Sequence, residues 1–315
     1  AGLLQLIFLY RFVKKYYALD FDFRFKITNK VKFFFKKLLP SIFSSGVTQI
    51  NILVGTIIAS FQASAVSYLY YADRIYQINL AIAGIAIGTV LLPNLSKYVD
   101  QNNFKKIKFI QNKSLELSLF LCLPATFALL ISSEQITSAL FGYGSFDHQS
   151  VKNSSDALFF FAIGLPAFAL IKVFSSYIFA RHNTQTPFIY SLYSVIINVC
   201  ISLYFFPDTG FIIIPIATTI SSWFYAAILF NFLIKKKYFI FDSVLNFSIF
   251  KIIFASIITS YLFYNLIYYF EDFLVYESKY KLLTIILIVS ITAVIYILIS
   301  IFTKAFKISD IKLKY

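Results

Sequence analysis

The 315-residue sequence has few charged residues, two cysteines, two histidines and no methionine. Charged residues make up 13% of the chain, about half the share found in soluble globular domains, which argues against an ordinary water-facing surface. Cys122 and Cys200 stand alone in apolar stretches, so neither a disulfide nor a metal-ligand spacing is indicated. His148 and His182 are far apart, and no nucleophile and base stand at catalytic spacing. We therefore expect no enzyme, no metal and no other cofactor.

The absence of methionine extends to position 1, which is occupied by Ala1. Residues 1–13 form an apolar run that is too short to span a bilayer and is interrupted at its start. A signal peptide would carry a positively charged segment before its apolar run, and no such segment precedes this one. We expect the chain to be an N-terminally truncated fragment, with 1–13 as the end of a helix that begins upstream.

Hydrophobic residues make up 59% of the chain. They cluster in stretches of about 20 residues, the length that crosses a hydrocarbon core about 30 Å thick. The pattern predicts an all-α polytopic membrane protein surrounded by the lipid bilayer. It predicts eight complete transmembrane helices after the N-terminal partial helix, at about 38–62, 67–92, 114–132, 155–179, 188–206, 211–234, 247–270 and 281–302.

Lysine and arginine are divided unevenly between alternate loops. One set of loops, with the C-terminus, holds 22 of the 28 basic residues. Short cytoplasmic loops carry such an excess, so these loops and the C-terminus are predicted to be cytoplasmic. The opposite loops hold only Lys152, Lys279 and Lys281. Topology thus accounts for the net charge of +14, and we expect no nucleic-acid partner.

A polar stripe runs along the second predicted span. Ser67, Tyr71 and Arg74 are spaced to share one helix face, which Gln77 extends. Such a stripe is unstable against lipid, so it should line a cavity or a helix interface. In a cavity, the guanidinium fork of Arg74 suits a phosphate or carboxylate ligand. The alternative is an ion pair between helices.

Two further ionisable residues lie well inside predicted spans and are candidate site residues. Asp73 points about 100° away from its neighbour Arg74, so its partner is expected elsewhere. Lys172 lies near the inner end of its span, where it either anchors the helix to head groups or faces a cavity. Gly84 and Gly88 form a GxxxG pair, which favours close helix packing.

Several motifs resemble the MurJ (MviN) family of lipid II flippases, in the superfamily that also holds MATE drug exporters. The most specific is SYLYYADRIYQINLAIAGIAIGTVLLPNLSKY at 67–98. Further matches follow the family's order: LLPSIFSSGVTQIN at 38–51, IASF at 58–61, LFGYGSF at 140–146 and ARHNTQTP at 180–187. The last two helices match only in position and hydrophobicity.

The family pattern is two six-helix lobes followed by two helices. The resemblance implies that 1–13 end a first-lobe helix and that 14–37 form a basic cytoplasmic linker. It further implies that 38–234 form the second lobe and that 235–315 form the C-terminal helix pair and a cytoplasmic tail.

The resemblance implies a transporter of the bacterial inner membrane. By alternating access it would move the undecaprenyl-pyrophosphate-linked peptidoglycan precursor, lipid II, between leaflets. Ser67, Asp73 and Arg74 match the family's polar cavity motif, and arginines of the absent first lobe would complete the pyrophosphate site. The final helix pair would supply an apolar groove for the lipid tail. The implied partners are this precursor, the bilayer and the first lobe.

The sequence departs from the family pattern at three places. Asn79 stands where the family commonly has Pro, Gly55 stands where it often has Asp, and 183–187 read NTQTP where DTKTP is common. These differences bear on helix kinking and gating.

Other functions compete with this interpretation. An exporter of polysaccharide-linked lipid or of cationic drugs could share the fold, although Arg74 has the wrong sign for a cation. A membrane glycosyltransferase would need a catalytic carboxylate or histidine in a large outer loop, and 133–154 offer few such groups. A degenerate transporter or signalling partner also stays open.

Overall fold

The computed structural model describes residues 2–16, 28, 31–32, 49 and 51–305. Within these residues the regular structure is helical and contains no strand. The chain forms two compact units, Ala1–Pro40 and Ser41–Tyr315. In the first unit, the apolar N-terminal sequence forms helix α1, Gly2–Tyr16.

In the described part of the second unit, residues 51–59 form a helix (α2), and long helices joined by short turns follow it. Its further elements are α3 (Ala65–Leu80), a π-helical segment (Ala81–Ala86), α4 (Ile87–Asp100), α5 (Phe104–Phe141), α6 (His148–Phe179), α7 (Gln185–Thr209), a 3-10 turn (Gly210–Ile212), α8 (Ile213–Lys235), α9 (Ser243–Tyr269), α10 (Glu271–Leu274) and α11 (Lys281–Phe302). Side-chain caps start two of them: Asn103 and Asp147 accept from amides in the first turns of α5 and α6, at 3.2 and 2.8 Å.

Six helical stretches in the described residues are long and apolar enough to cross a membrane. One of them, Gln185–Lys235, contains both α7 and α8. The all-α, membrane-spanning fold class is therefore confirmed. Seven of the eight predicted spans fall on described helices; of the first, 38–62, only residues 49 and 51–62 are described, and 49 and 51–59 are helical.

Several helices are longer than the predicted spans. Helix α5 begins ten residues before the predicted span 114–132 and ends nine residues after it, and α6 begins seven residues before 155–179. Hydropathy marks only the part of a helix that meets hydrocarbon. The ends of α5 carry charged residues such as Lys105 and Glu134, so the helix continues past the apolar part into a polar environment.

Proline accounts for little of the helix distortion. Pro124 and Pro166 lie inside α5 and α6, and both helices continue through them. In α5 the non-helical backbone is at Ser132 (φ −133°, ψ 33°), eight residues after the proline. Pro215 falls in the first turn of α8, where no helical amide is lost. Pro40 lies outside the described residues.

The close helix approach predicted from Gly84 and Gly88 is present. Both glycines face α6: a β-carbon on Gly84 would lie 3.4 Å from the Ala169 Cα, and one on Gly88 would lie 3.4 Å from the Ser176 Oγ. Helix α6 packs against α3, α4, α5 and α8, so it is the central helix of the unit. Small residues on both sides allow this packing.

The π-helical segment between α3 and α4 is supported from a neighbouring helix. A π turn widens the helix and weakens the regular hydrogen-bond ladder. The Ser118 hydroxyl of α5 donates to the Ala83 carbonyl at 2.9 Å. This bond supplies a partner that lipid could not offer, and it fixes the widened turn against α5.

The linker between α8 and α9 is held by two polar side chains. Arg181, in the turn after α6, donates to the carbonyls of Tyr177 (2.6 Å) and Tyr238 (2.8 Å), and its guanidinium lies 4.4 Å from the Tyr238 ring centroid. Asn112 of α5 donates to the Ile240 carbonyl at 3.0 Å. These bonds attach the start of the final helix pair to α5 and α6.

The predicted topology can be tested at two exposed turn residues. Ser145 lies between α5 and α6, and Gln101 lies between α4 and α5. In a protein lacking Cys122 and Cys200, we expect Ser145→Cys to react with a membrane-impermeant maleimide in intact cells. Gln101→Cys should react only after lysis, because its turn belongs to the basic side. The reverse labelling pattern would overturn the charge-based orientation.

Candidate functional site

Helix α3 has one buried face and one exposed face. Ala65, Ala72 and Ile75 are buried, with exposed fractions of 4% or less, and pack into the helical unit. Ser67 and Arg74 are exposed on the other side. The polar stripe of the sequence therefore lies on a surface of the unit.

Arg74 lies in a short chain of polar contacts along α3. Its Nη1 donates to the Gln77 Oε1 at 3.5 Å, and the Gln77 amide donates to the Asp73 carboxylate. The guanidinium lies 4.6 Å from the centroid of the Tyr70 ring. The partner that Asp73 was predicted to have elsewhere is thus Gln77, one turn along the same helix.

The alternative of an ion pair at Arg74 finds no support in the described residues, where neither Arg74 nor Asp73 forms a salt bridge. Gln77 lies between the two charges and bonds to both. A guanidinium has five N–H donors, and a single 3.5 Å bond to Gln77 leaves most of its capacity for another acceptor. This geometry suits the binding of an oxyanion.

Tyr71 departs from the predicted stripe. Its ring packs against Phe141, at 4.8 Å between centroids, and Phe146, at 4.7 Å. The tyrosine that accompanies Arg74 is Tyr70, which the sequence analysis missed. The signal was available, because positions four residues apart lie one above the other on a helix.

Lys172 lies apart from the Arg74 cluster. It is exposed on α6, and its stem lies beside Gly84, where an added β-carbon would be 3.5 Å from the Lys172 Cγ. Gly84 is ten residues beyond Arg74, which corresponds to roughly 15 Å of helix rise. The structure brings Ser67, Asp73, Arg74 and Gln77 onto one helix and does not bring Lys172 to them.

A cavity of 480 Å³ lies between α3, α5, α9 and α11. Its lining is mostly aliphatic and aromatic, with a few hydroxyl groups and Asn79. The walls are Ile75, Ile78 and Asn79 from α3; Leu121, Pro124, Ala125, Ala128, Leu129, Ile136 and Leu140 from α5; Thr259, Ser260 and Phe263 from α9; and Leu282, Ile285, Ile286, Val289, Ser290, Thr292, Ala293 and Tyr296 from α11. We call this cavity the apolar groove.

Comparison with solved structures defines the class of protein. The fold matches an outward-facing multidrug resistance MATE family transporter of the MOP superfamily with a TM-score of 0.55, at 12% identity, over 74% of this chain and 53% of that one. At this identity the likeness shows the fold alone. The chain therefore shares the multi-helix fold of that structure.

Closer matches define the family. The model of the family "Lipid II flippase MurJ" matches residues 1–284. A probable lipid II flippase MurJ of Rhizobium meliloti (strain 1021) is 42% identical over 211 residues, 67% of this chain. The structure "Lipid II flippase MurJ, inward closed conformation" matches with a TM-score of 0.70 and 25% identity, over 95% of this chain and 60% of that one. The chain belongs to the lipid II flippase MurJ family.

The chain spans less than half the length of three curated relatives that it matches. The aligned part is 39% of the Rhizobium meliloti protein, and 46% and 45% of two other relatives. The activity of the complete proteins therefore concerns more residues than this chain contains.

Two arginines allow a direct test of the site geometry. Arg181 bonds two carbonyls, so Arg181→Ala should destabilise the protein by about 1.5–3 kcal/mol, the range for hydrogen bonds to charged groups. Arg74 is exposed with one long bond, so Arg74→Ala should cost about 0.5 kcal/mol or less. Thermal unfolding in detergent and abundance in the membrane measure both. Equal destabilisation by the two variants would show that Arg74 is also a structural residue.

Proposed function

We propose that this chain is part of a flippase that moves undecaprenyl-pyrophosphate-linked peptidoglycan precursor across the inner membrane by alternating access. Membership of the lipid II flippase MurJ family supports the proposal. Relatives named probable lipid II flippase MurJ are longer than this chain, so the proposal assigns this chain only a part of the site.

The observation that carries the proposal is the double role of α3. Arg74 and Gln77 are on its polar surface, whereas Ile75, Ile78 and Asn79 line the apolar groove. One helix therefore borders both a site suited to an oxyanion and a slot suited to a hydrocarbon chain. A pyrophosphate-linked polyisoprenoid has these two parts directly joined.

In the proposed arrangement, 38–234 form the second six-helix lobe and 235–315 form the final helix pair with a cytoplasmic tail. Residues 14–37 are the basic cytoplasmic linker, and 1–13 end a helix of the first lobe. This gives eight complete transmembrane helices and one partial helix. The six membrane-crossing stretches of the described residues support the arrangement, since one of them holds two helices.

The proposed substrate site comprises Arg74, Asp73, Gln77 and Ser67, with Tyr71 behind it. In this site Arg74 binds the pyrophosphate, and Gln77 orients the guanidinium while it separates Asp73 from the anion. Lys172, on α6, serves the inner end of the pathway. It lies beside Gly84, which is roughly 15 Å of helix rise beyond Arg74. The partners are the lipid-linked precursor, the bilayer and the first lobe of the same protein.

Replacement of Arg74 tests the proposed anion site in the full-length protein. Arg74→Ala removes the bidentate donor, so precursor binding should weaken roughly 10- to 150-fold, as the loss of about 1.5–3 kcal/mol implies. Arg74→Lys keeps the charge without the fork and should retain part of the binding. Binding and translocation in proteoliposomes are measured beside membrane abundance. Normal translocation at normal abundance would contradict the proposed role.

Expression of this chain alone tests the need for a second lobe. Alternating access requires two lobes, and a single lobe leaves the polar stripe of α3 uncovered. The chain by itself should fail to restore peptidoglycan synthesis in cells depleted of their flippase, whereas the full-length protein should restore it. An immunoblot of the membrane fraction shows that the chain is present. Rescue by this chain alone would contradict the two-lobe proposal.

A further inference from the structure

Lys281 is a buried cation at the outer-loop end of α11. Its exposed fraction is 1%, although the charge pattern of the sequence assigns it to the outer loops. Its ammonium donates to the carbonyls of Gly142 (2.7 Å) and Tyr276 (2.6 Å). It also lies 4.4 Å from the Tyr143 ring centroid and 4.5 Å from that of Tyr276. Carbonyl dipoles and aromatic faces therefore make the direct contacts with the ammonium, and the Glu277 carboxylate also stabilises its charge.

The C-terminus of α5 stabilises this cation, whereas the N-terminus of α11 does not. Lys281 is the first residue of α11, and a cation at a helix N-terminus is unfavourable. Gly142 directly follows the last residue of α5, and a cation at a helix C-terminus is favourable and satisfies a free carbonyl. The lysine thus acts as a cap on a neighbouring helix.

Gly142 allows the two chain segments to come this close. A β-carbon at Gly142 would lie 2.7 Å from the Ser138 carbonyl oxygen and 3.1 Å from the Tyr276 ring. The Tyr276 hydroxyl donates to the Phe146 carbonyl at 2.7 Å. The side chains of Lys281 and Tyr276 therefore attach the turn after α5 to the α10–α11 turn. The contact is too close for any side chain at position 142.

Tyr296 makes a second connection between α11 and α5. Its hydroxyl donates to the Phe120 carbonyl at 2.8 Å, and the two rings have centroids 4.9 Å apart. The side chain is buried, with an exposed fraction of 5%. Along α11, Tyr296 is roughly 22 Å from Lys281.

These two connections lie at opposite ends of the apolar groove. Leu140 and Leu282, which line one end, are close in sequence to Gly142 and Lys281. Leu121 and Tyr296 line the other end, next to the bond between Tyr296 and Phe120. At both ends a side chain of α11 bonds to a main-chain oxygen of the α5 segment.

We propose that Lys281 and Tyr296 are positioning residues that fix the width of the apolar groove by holding α11 against α5 at both ends. The groove then remains a slot of constant width while other parts of the transporter move. The identity of its occupant, the hydrocarbon chain of the substrate, rests on the function proposed above. The positioning role itself can be tested without any substrate.

The first test measures access to the groove in the full-length protein. Thr259 lines the groove and is buried, with an exposed fraction of 5%. Thr259→Cys, in a protein lacking Cys122 and Cys200, is alkylated with N-phenylmaleimide. Lys281→Met and Tyr296→Phe should each increase the alkylation rate roughly tenfold, because α11 separates more often from α5. Matched controls, Lys279→Met and Tyr261→Phe, change exposed residues and should leave the rate unchanged.

The second test uses translocation of the lipid-linked precursor in proteoliposomes. A wider groove binds the chain more weakly in every state, so the half-saturating concentration should rise roughly fivefold while the maximal rate stays within about twofold. The two control variants should behave as the parent does. If the parent protein does not translocate the precursor, the proposed function is wrong. The alkylation rates then test the positioning role by themselves.

Two outcomes would overturn the positioning role. The first is an alkylation rate in Lys281→Met and Tyr296→Phe equal to that of the parent. The second is the loss of both variants from the membrane while both controls remain, which would make the two residues determinants of folding. Tyr296→Phe removes one oxygen and keeps the ring contact, so it remains informative if Lys281→Met alone fails to fold.

Discussion

The constraint on which this structure depends is that lipid offers no hydrogen-bond partners. Backbone polar groups inside the bilayer must therefore be satisfied within the protein. In this chain, main-chain oxygens at helix ends and irregular turns accept from side chains of neighbouring helices. Ser118 bonds to the carbonyl of Ala83 in the π-helical segment, and Lys281 bonds to that of Gly142 beyond the end of α5. Each bond satisfies an oxygen and also joins two helices.

Helix α5 takes part in most of these connections. It reaches the π-helical segment through Ser118, the α8–α9 linker through Asn112 and α11 through the acceptor Phe120. The helix that carries Arg74 and the helices that form the apolar groove are therefore attached to one long element. A displacement of α5 must alter the polar and the apolar parts of the proposed site together.

The sequence was sufficient to predict what depends on composition and on helical period. Apolar stretches predicted the fold class, and the glycine pair predicted a close helix contact, which the structure places against α6. The polar stripe on α3 was also visible, since it needs only the spacing of Ser67 and Arg74. Tyr70 was missed although it stands four residues before Arg74. The packing of Tyr71 against Phe141 and Phe146 depends on contacts distant in sequence, which helical spacing does not show.

Lys281 shows why a residue type alone does not reveal its role. In the sequence it counts as one of three basic residues in the loops predicted to be outside, and only topology uses it. In the structure its environment comes from the turn after α5, more than a hundred residues earlier in the chain. A lysine can be buried there because two main-chain carbonyls, one of them at the end of α5, and two aromatic rings contact its ammonium. Burial of a lysine without a nearby helix terminus would cost more free energy. The bond from Lys281 to the Gly142 carbonyl therefore also attaches α11 to the end of α5.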